Sequence, residues 1–266
     1  MKCNYKLHII SHPSPVTCNA FMEKNIKLII EYEGTRYQGF QIQPGVKTIQ
    51  GEIEASLYRI FQQHVKIYGA GRTDAGVHAS GQVVTFKHTS LKTPEQIHRS
   101  LNGLLPDDIV IQSAREMDEN FHARFSVKSR VYRYTILNRS YEDVFSRNFV
   151  FFYRHLLDAE AMNEACKMFI GTHDFSSFRA SSKEIKSNLR KIFKFTCHRK
   201  GDFIISEIEA DGFLYMMVRI LMGTILQVGR GKYSPDKILE ILYAKDRTKA
   251  GPTLPARGLC LVEVKY

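Results

Sequence analysis

Apolar and polar positions fall into alternating runs and helical stripes in a recognisable order. Residues 25–32 (NIKLIIEY) are β-branched, end at a Glu-Gly turn and predict a strand. In 48–63 (TIQGEIEASLYRIFQQ), Ile49, Ile53, Leu57 and Ile60 or Phe61 share one helical face. VKIYGAG (65–71) predicts a strand entering a glycine loop. GQVVTFKH (81–88) predicts the next strand, with Val83 and Thr85 opposite in face to Val84 and Phe86. Residues 94–104 predict a helix with Ile97, Leu101 and Leu104 as its stripe, and DIVIQSAREM (108–117) a further strand.

The second half repeats this order more loosely. RVYRYTIL (130–137) predicts a strand, and 158–170 a helix with Ala161, Ala165, Met168 and Phe169 inward. NLRKIFKFTCHRK and DFIISEIEA (188–210) predict a hairpin around a Lys-Gly turn. A long buried helix is expected over 212–229, with Arg219 in its middle. Another follows over 234–245, with Ser234 as N-cap and Pro235 at its first position. The chain closes on an alternating strand, GLCLVEVKY. The expected class is α+β: two pseudo-repeated βαββαβ-like halves, mainly antiparallel sheets flanked by helices, and an active-site cleft between them. The expected divisions are an N-terminal extension (1–24), an N-terminal domain (25–125) and a C-terminal domain (126–266).

Composition narrows the partners. The 266 residues carry a formal net charge of +11, which favours a polyanion. Seven Lys or Arg and one Glu crowd 183–200, interleaved with apolar residues as on a strand with a basic face. No apolar run is long enough to span a bilayer, so no membrane partner is expected. Five dispersed cysteines without a CxxC pair, and the lack of HExxH, argue against a disulfide framework or a metal site and fit a reducing cytoplasm. Residues 1–21 lack the h-region and cleavage site of a signal peptide, and read as a loosely attached extension or an upstream misread start.

The glycine loop, GAGRTDAGVHASGQVVTF (69–86), holds the candidate chemistry. It matches neither GxxxxGK[ST] nor a dinucleotide loop, because it leads into a strand. Local chemistry alone favours Asp74 as an Asx-turn residue among glycines of positive φ. The wider stretch reverses that preference. Residues 69–86 resemble the signature of the TruA family of tRNA pseudouridine synthases. EYEGTRYQGFQIQ (31–43), NFHARFSVKSRVYRYTI (120–136), GTHDFSSFRA (171–180), FLYMMVRILMGTILQVG (213–229), AKDRT (244–248) and GLCLVEVKY resemble its other blocks, in order. Phe40 stands where the family usually has Trp, which removes an indole N–H.

The resemblance implies conversion of uridine to pseudouridine in tRNA, at positions 38, 39 and 40 of the anticodon arm, by a cytoplasmic homodimer without cofactor. It makes Asp74 the catalytic carboxylate and Arg219 its ion-pair partner. Arg72 would fill the space left by a flipped nucleotide, Tyr132 would stack on the uracil, and Leu259 would form an apolar wall. From the residues alone, Arg219 also reads as a snorkelling side chain, Tyr132 and Tyr134 as a core-covering strand face, and Leu259 as an inward core leucine. His78, Gln82 and His122 read as loop or strand support. Three rival functions remain. A non-catalytic RNA-binding protein has no use for a buried carboxylate. A glycosidase commonly needs a second carboxylate nearby. A related synthase with other RNA targets fits the same residues.

Overall fold

The computed structural model describes residues 23–181 and 187–266. The expected N-terminal extension, through residue 22, lies outside the described residues, as does 182–186 at the start of the basic stretch.

The first half runs β1 (Lys24–Tyr32), α1 (Ile49–Phe61), β2 (Tyr68–Gly69), β3 (His78–His88), α2 (Pro94–Asn102) and β4 (Ile109–Met117). The second runs β5 (Ser129–Leu137), β6 (Phe151–Phe152), α3 (Ala159–Lys167), β7 (Gly171–Asp174), β8 (Leu189–Lys200), β9 (Phe203–Ala210), α4 (Met217–Gly229), α5 (Lys237–Ala244) and β10 (Leu259–Lys265). The α+β class and mainly antiparallel pairing are as expected, but both halves share one sheet. Its order is β4-β1-β3-β10-β5-β9-β8-β7, with β2 on β3 and β6 on β5. The halves meet in a short parallel ladder, Cys260 opposite His78 and Leu261 opposite Ala79. The second half does not copy the first element by element. Between β5 and its neighbour β9 come α3, β7 and the long strand β8.

Local chemistry explains most of the boundaries. Thr48 caps α1 by accepting from Gly51 N–H at 3.2 Å, and Ile49, Ile53 and Leu57 lie buried beneath it. Each such side chain contributes about 1.5–3 kcal/mol on leaving water. Thr93 and Gln96 form a reciprocal capping box on α2. The strand expected over 65–71 shrinks to two residues. Ile67 N–H donates instead to Glu54 Oε1 of α1 at 3.0 Å, which takes it out of any ladder. α3 ends at Lys167, and its buried face is Met162, Ala165 and Cys166, with Phe169 buried just beyond; Ala161 and Met168 are only half-buried. α5 starts at Lys237, after a turn in which Lys237 N–H donates to Ser234 and Ile238 N–H to Pro235, so Asp236 replaces Ser234 at the cap position.

A single apolar cluster takes in Ile26, Leu28 and Phe86 from the first half and Tyr134, Ile208 and Ile225 from the second. On β8 the apolar positions Ile192, Phe195 and Cys197 are buried. Lys191, Lys194 and Lys200 face outward, which gives the strand its basic side. No helix among the described residues is long and apolar enough to cross a membrane.

Candidate active site

The glycine loop leaves β2 at Gly69 and reaches Asp74 just before β3. Main-chain bonds hold its shape. Phe40 N–H donates to Thr73 carbonyl at 3.0 Å, and Val77 N–H donates to Asp74 carbonyl at 3.1 Å. Tyr32 and Thr73 hydroxyls share a buried bond of 2.8 Å, and Gln82 amide donates to Gly71 carbonyl at 2.9 Å. Gly39 lies under the loop at φ +92°, where a Cβ would stand 2.8 Å from Thr73 carbonyl oxygen. The turn is thus closed by Asp74's main chain and not by an Asx bond. Phe40 is buried, with its ring against Gly69; this packing needs no indole N–H.

Asp74's carboxylate is engaged from the other half of the chain. Arg219 Nη1 approaches Oδ2 at 3.5 Å, with the side chains only 14% and 19% exposed for Arg219 and Asp74 respectively. Arg219 stands in the first turn of α4, not mid-helix, because the preceding residues turn sharply through Met216 at φ +57°. It is the sole residue of α4 that is not buried. A cation at a helix N-terminus opposes the macrodipole. Asp74 and a 2.7 Å bond from Arg219 Nε to Leu254 carbonyl offset that cost. Burial pushes the Asp74 carboxyl above its usual range while Arg219 pulls the other way; burial is the larger effect.

A cleft of about 1360 Å³ opens over this pair, and Arg72, Tyr132 and Leu259 all line it together with Asp74 and Arg219. Arg72 is exposed on the wall. Tyr132 is 7% exposed and meets Phe213 edge-on, ring centres 5.1 Å apart. Burial holds its phenol well above the ordinary tyrosine value, so it stays protonated. Leu259 is buried at the start of β10, opposite Tyr134. Tyr134 faces the same way as Tyr132 but is sealed in the core, its hydroxyl donating to Pro255 carbonyl at 2.8 Å. His78 bridges Gly34 N–H (3.0 Å) and Asn148 carbonyl (2.8 Å), a supporting role like that of Gln82. His122 Nδ1 accepts from Arg124 N–H at 3.0 Å, which steadies its own loop.

Sequence reasoning missed Arg130. Its guanidinium donates twice to Ala70 carbonyl, at 3.0 and 2.5 Å, and once to Asp211 carbonyl at 2.9 Å. It thereby fastens the glycine loop to the β9–α4 connection. The signal was available: Arg130, Tyr132, Tyr134 and Ile136 share one strand parity, and an arginine in that inward register needs partners. Phe213 was also missed, since a ring in an apolar run gives no hint that it buttresses Tyr132.

Among the described lining residues, Asp74 is the single carboxylate against six Lys or Arg. Such a cleft is built for a polyanion with one negative group held inside it. Comparison with known proteins says which polyanion. The profile of the tRNA pseudouridine synthase family matches residues 28–126 and 165–266. A tRNA pseudouridine synthase A of Clostridium acetobutylicum is 44% identical over 91% of this chain and 100% of its own length. That of an Exiguobacterium species is 46% identical over 91% of this chain and 98% of its own. Among solved structures, an H/ACA RNP bound to a substrate RNA aligns with a TM-score of 0.32 at 13% identity, over 76% of this chain and 53% of that one. The chain belongs to the tRNA pseudouridine synthase family. Its activity is isomerisation of uridine to pseudouridine in tRNA.

Proposed function

We propose that the protein forms pseudouridine at positions 38, 39 and 40 of the tRNA anticodon arm, with Asp74 as the catalytic carboxylate. The reaction breaks N1–C1′, turns the uracil over, joins C5 to C1′ and loses the C5 proton while N1 gains one. Atoms are conserved, so the step calls for one carboxylate at the ribose and no redox partner. The observation that carries the reading is a carboxylate that stands alone among the described residues lining a basic cleft, ion-paired across the two halves. A glycosidase reading is disfavoured for the same reason, since that chemistry commonly uses two.

In this reading residues 25–125 form a domain carrying the catalytic loop, and 126–266 a domain completing the site. Arg219 keeps Asp74 ionised against its burial. Tyr132 and Leu259 hold the uracil between an aromatic face and an apolar wall. Arg72 enters the stack that the everted uridine leaves, where a planar cation contacts backbone and bases together. Phosphate contacts by the cleft's basic residues supply most of the affinity. The enzyme works in the cytoplasm as a homodimer with one tRNA lying across both subunits.

The test is nucleotide-resolved mapping of pseudouridine in unmodified tRNA incubated with wild type and Asp74→Asn. Product at 38–40 with wild type and none with the variant supports the assignment. Product from the variant sinks it, and product elsewhere in the tRNA corrects the target. Sedimentation of the free protein reads the dimer separately.

A further inference from the structure

Beside the cleft stands a cluster that the chemistry at Asp74 does not use. Lys66, Tyr68 and Arg124 line the cleft. Tyr68 stacks obliquely on His122 with ring centres 5.1 Å apart, and His122 on Phe125 at 4.5 Å. Lys66 Nζ lies 5.5 Å from the Tyr68 ring centre, and the Arg124 guanidinium 5.9 Å from that of Phe125. Phe125 is 77% exposed and Tyr68 45% exposed. Two large rings are therefore held in water, flanked by two cations.

The loop that carries them is firmly built. Ala123 is fully buried. Its N–H donates to Thr85 Oγ1 at 3.2 Å, and its carbonyl accepts from the Tyr266 hydroxyl at 2.9 Å. Ser126 N–H donates to His122 carbonyl at 3.0 Å, and His122 N–H returns a bond to Ser126 Oγ at 3.1 Å. The exposed rings are thus pre-organised at low entropic cost to a ligand. Tyr68 is joined to the catalytic loop directly, since Gly69 follows it in β2.

We propose that Tyr68, His122 and Phe125 form a second base-binding subsite, which stacks one unpaired nucleobase of the substrate tRNA outside the catalytic pocket. Lys66 and Arg124 contact the phosphates on either side of it. Aromatic faces between cations suit an unpaired nucleotide of any sequence, because every base offers a π-face and every linkage a negative charge. The subsite fixes the register of the loop so that the neighbouring uridine reaches Asp74. This inference rests on reading the cleft at Asp74 as the tRNA site.

The experiment measures equilibrium binding of an unmodified tRNA transcript at several salt concentrations, for wild type, Phe125→Leu, Phe125→Tyr and Arg124→Gln. Phe125→Leu is expected to weaken binding by about 5- to 150-fold, the range for one lost stacking contact, with an unchanged salt slope. Phe125→Tyr restores binding, and Arg124→Gln lowers the salt slope by about one. Transcripts with single abasic sites then locate the base: removing it weakens wild type but adds nothing to the loss in Phe125→Leu. Binding by Phe125→Leu within twofold of wild type overturns the proposal. So does a loss that Phe125→Tyr fails to restore while thermal melting shows both variants folded. Asp74→Asn is assayed alongside. If it forms pseudouridine, the catalytic reading fails; if it binds without turnover while Phe125→Leu is indifferent, only the subsite falls.

Discussion

Replacing Arg219 with methionine leaves Asp74 buried without its counter-charge. At 3.5 Å two unit charges attract by about 1.2 kcal/mol in bulk water and about 4.7 kcal/mol at an effective dielectric of 20. The slight remaining exposure of both side chains places the true value between these bounds. In equilibrium terms, ionisation of Asp74 becomes about 7- to 3,000-fold less favourable. The carboxyl already sits above its usual range because burial outweighs Arg219. The wild-type rate therefore rises as pH climbs above the ordinary carboxylate range and then levels, and Arg219→Met moves the rise to higher pH. Joining C5 to C1′ expels the C5 proton, so tritium release from tRNA labelled at uridine C5 reads each turnover. Single-turnover rates across a broad pH range should show Arg219→Met slow at low pH and recovering as pH rises. Arg219→Lys, which keeps the charge but loses the Nε bond to Leu254 carbonyl, should stay near the wild-type limb. If Arg219→Met is slowed by one constant factor at every pH, Arg219 acts on the RNA and the ion-pair argument is wrong.

Three further variants probe the same frame. Because the folded carboxyl of Asp74 is raised, its stabilising contribution is present below the ordinary carboxylate range and lost as pH rises through the folded value. Asp74→Asn should thus melt no lower than wild type at neutral pH, and lose ground to it only in acid, while binding tRNA with near wild-type affinity. Tyr134→Phe removes the 2.8 Å bond to Pro255 carbonyl and should cost about 1 kcal/mol in denaturant unfolding with kcat intact; a large loss of kcat would move Tyr134 into the site. Gly223→Ala places a Cβ 1.7 Å from Pro252 carbonyl oxygen, where α4 touches the 250–255 segment. It should destabilise by several kcal/mol, beyond the roughly 1–3 kcal/mol of ordinary overpacking, and an unchanged melting temperature would refute that packing.

Much of this was legible because periodicity reports burial. The stripe Ile49, Ile53, Leu57 and the alternation in β9 follow from one face meeting a core, whereas β3 is buried on both faces. Boundaries set by distant partners were not legible. Glu54 lies thirteen residues before Ile67, yet its carboxylate ends the strand expected there. The loop at 212–216 precedes a left-handed Met216 that no propensity foretells, so α4 was drawn too long and Arg219 set too deep. At the site, the resemblance named five residues that the structure gathers in one cleft. Arg130 escaped because its partners are carbonyls of Ala70 and Asp211, sixty residues before and eighty-one after it. A sequence does not display main-chain acceptors.

β10 is the chain's final element, yet it sits in the middle of the sheet, between β3 and β5. Neither half can close the sheet by itself: β3 and β5 are joined only when β10 slots in between them. The loop bearing Asp74 and the helix bearing Arg219 both precede, in chain order, the strand that joins their halves. A lesion in β10 therefore strikes the keystone of the sheet, because it parts the half bearing Asp74 from the half bearing Arg219.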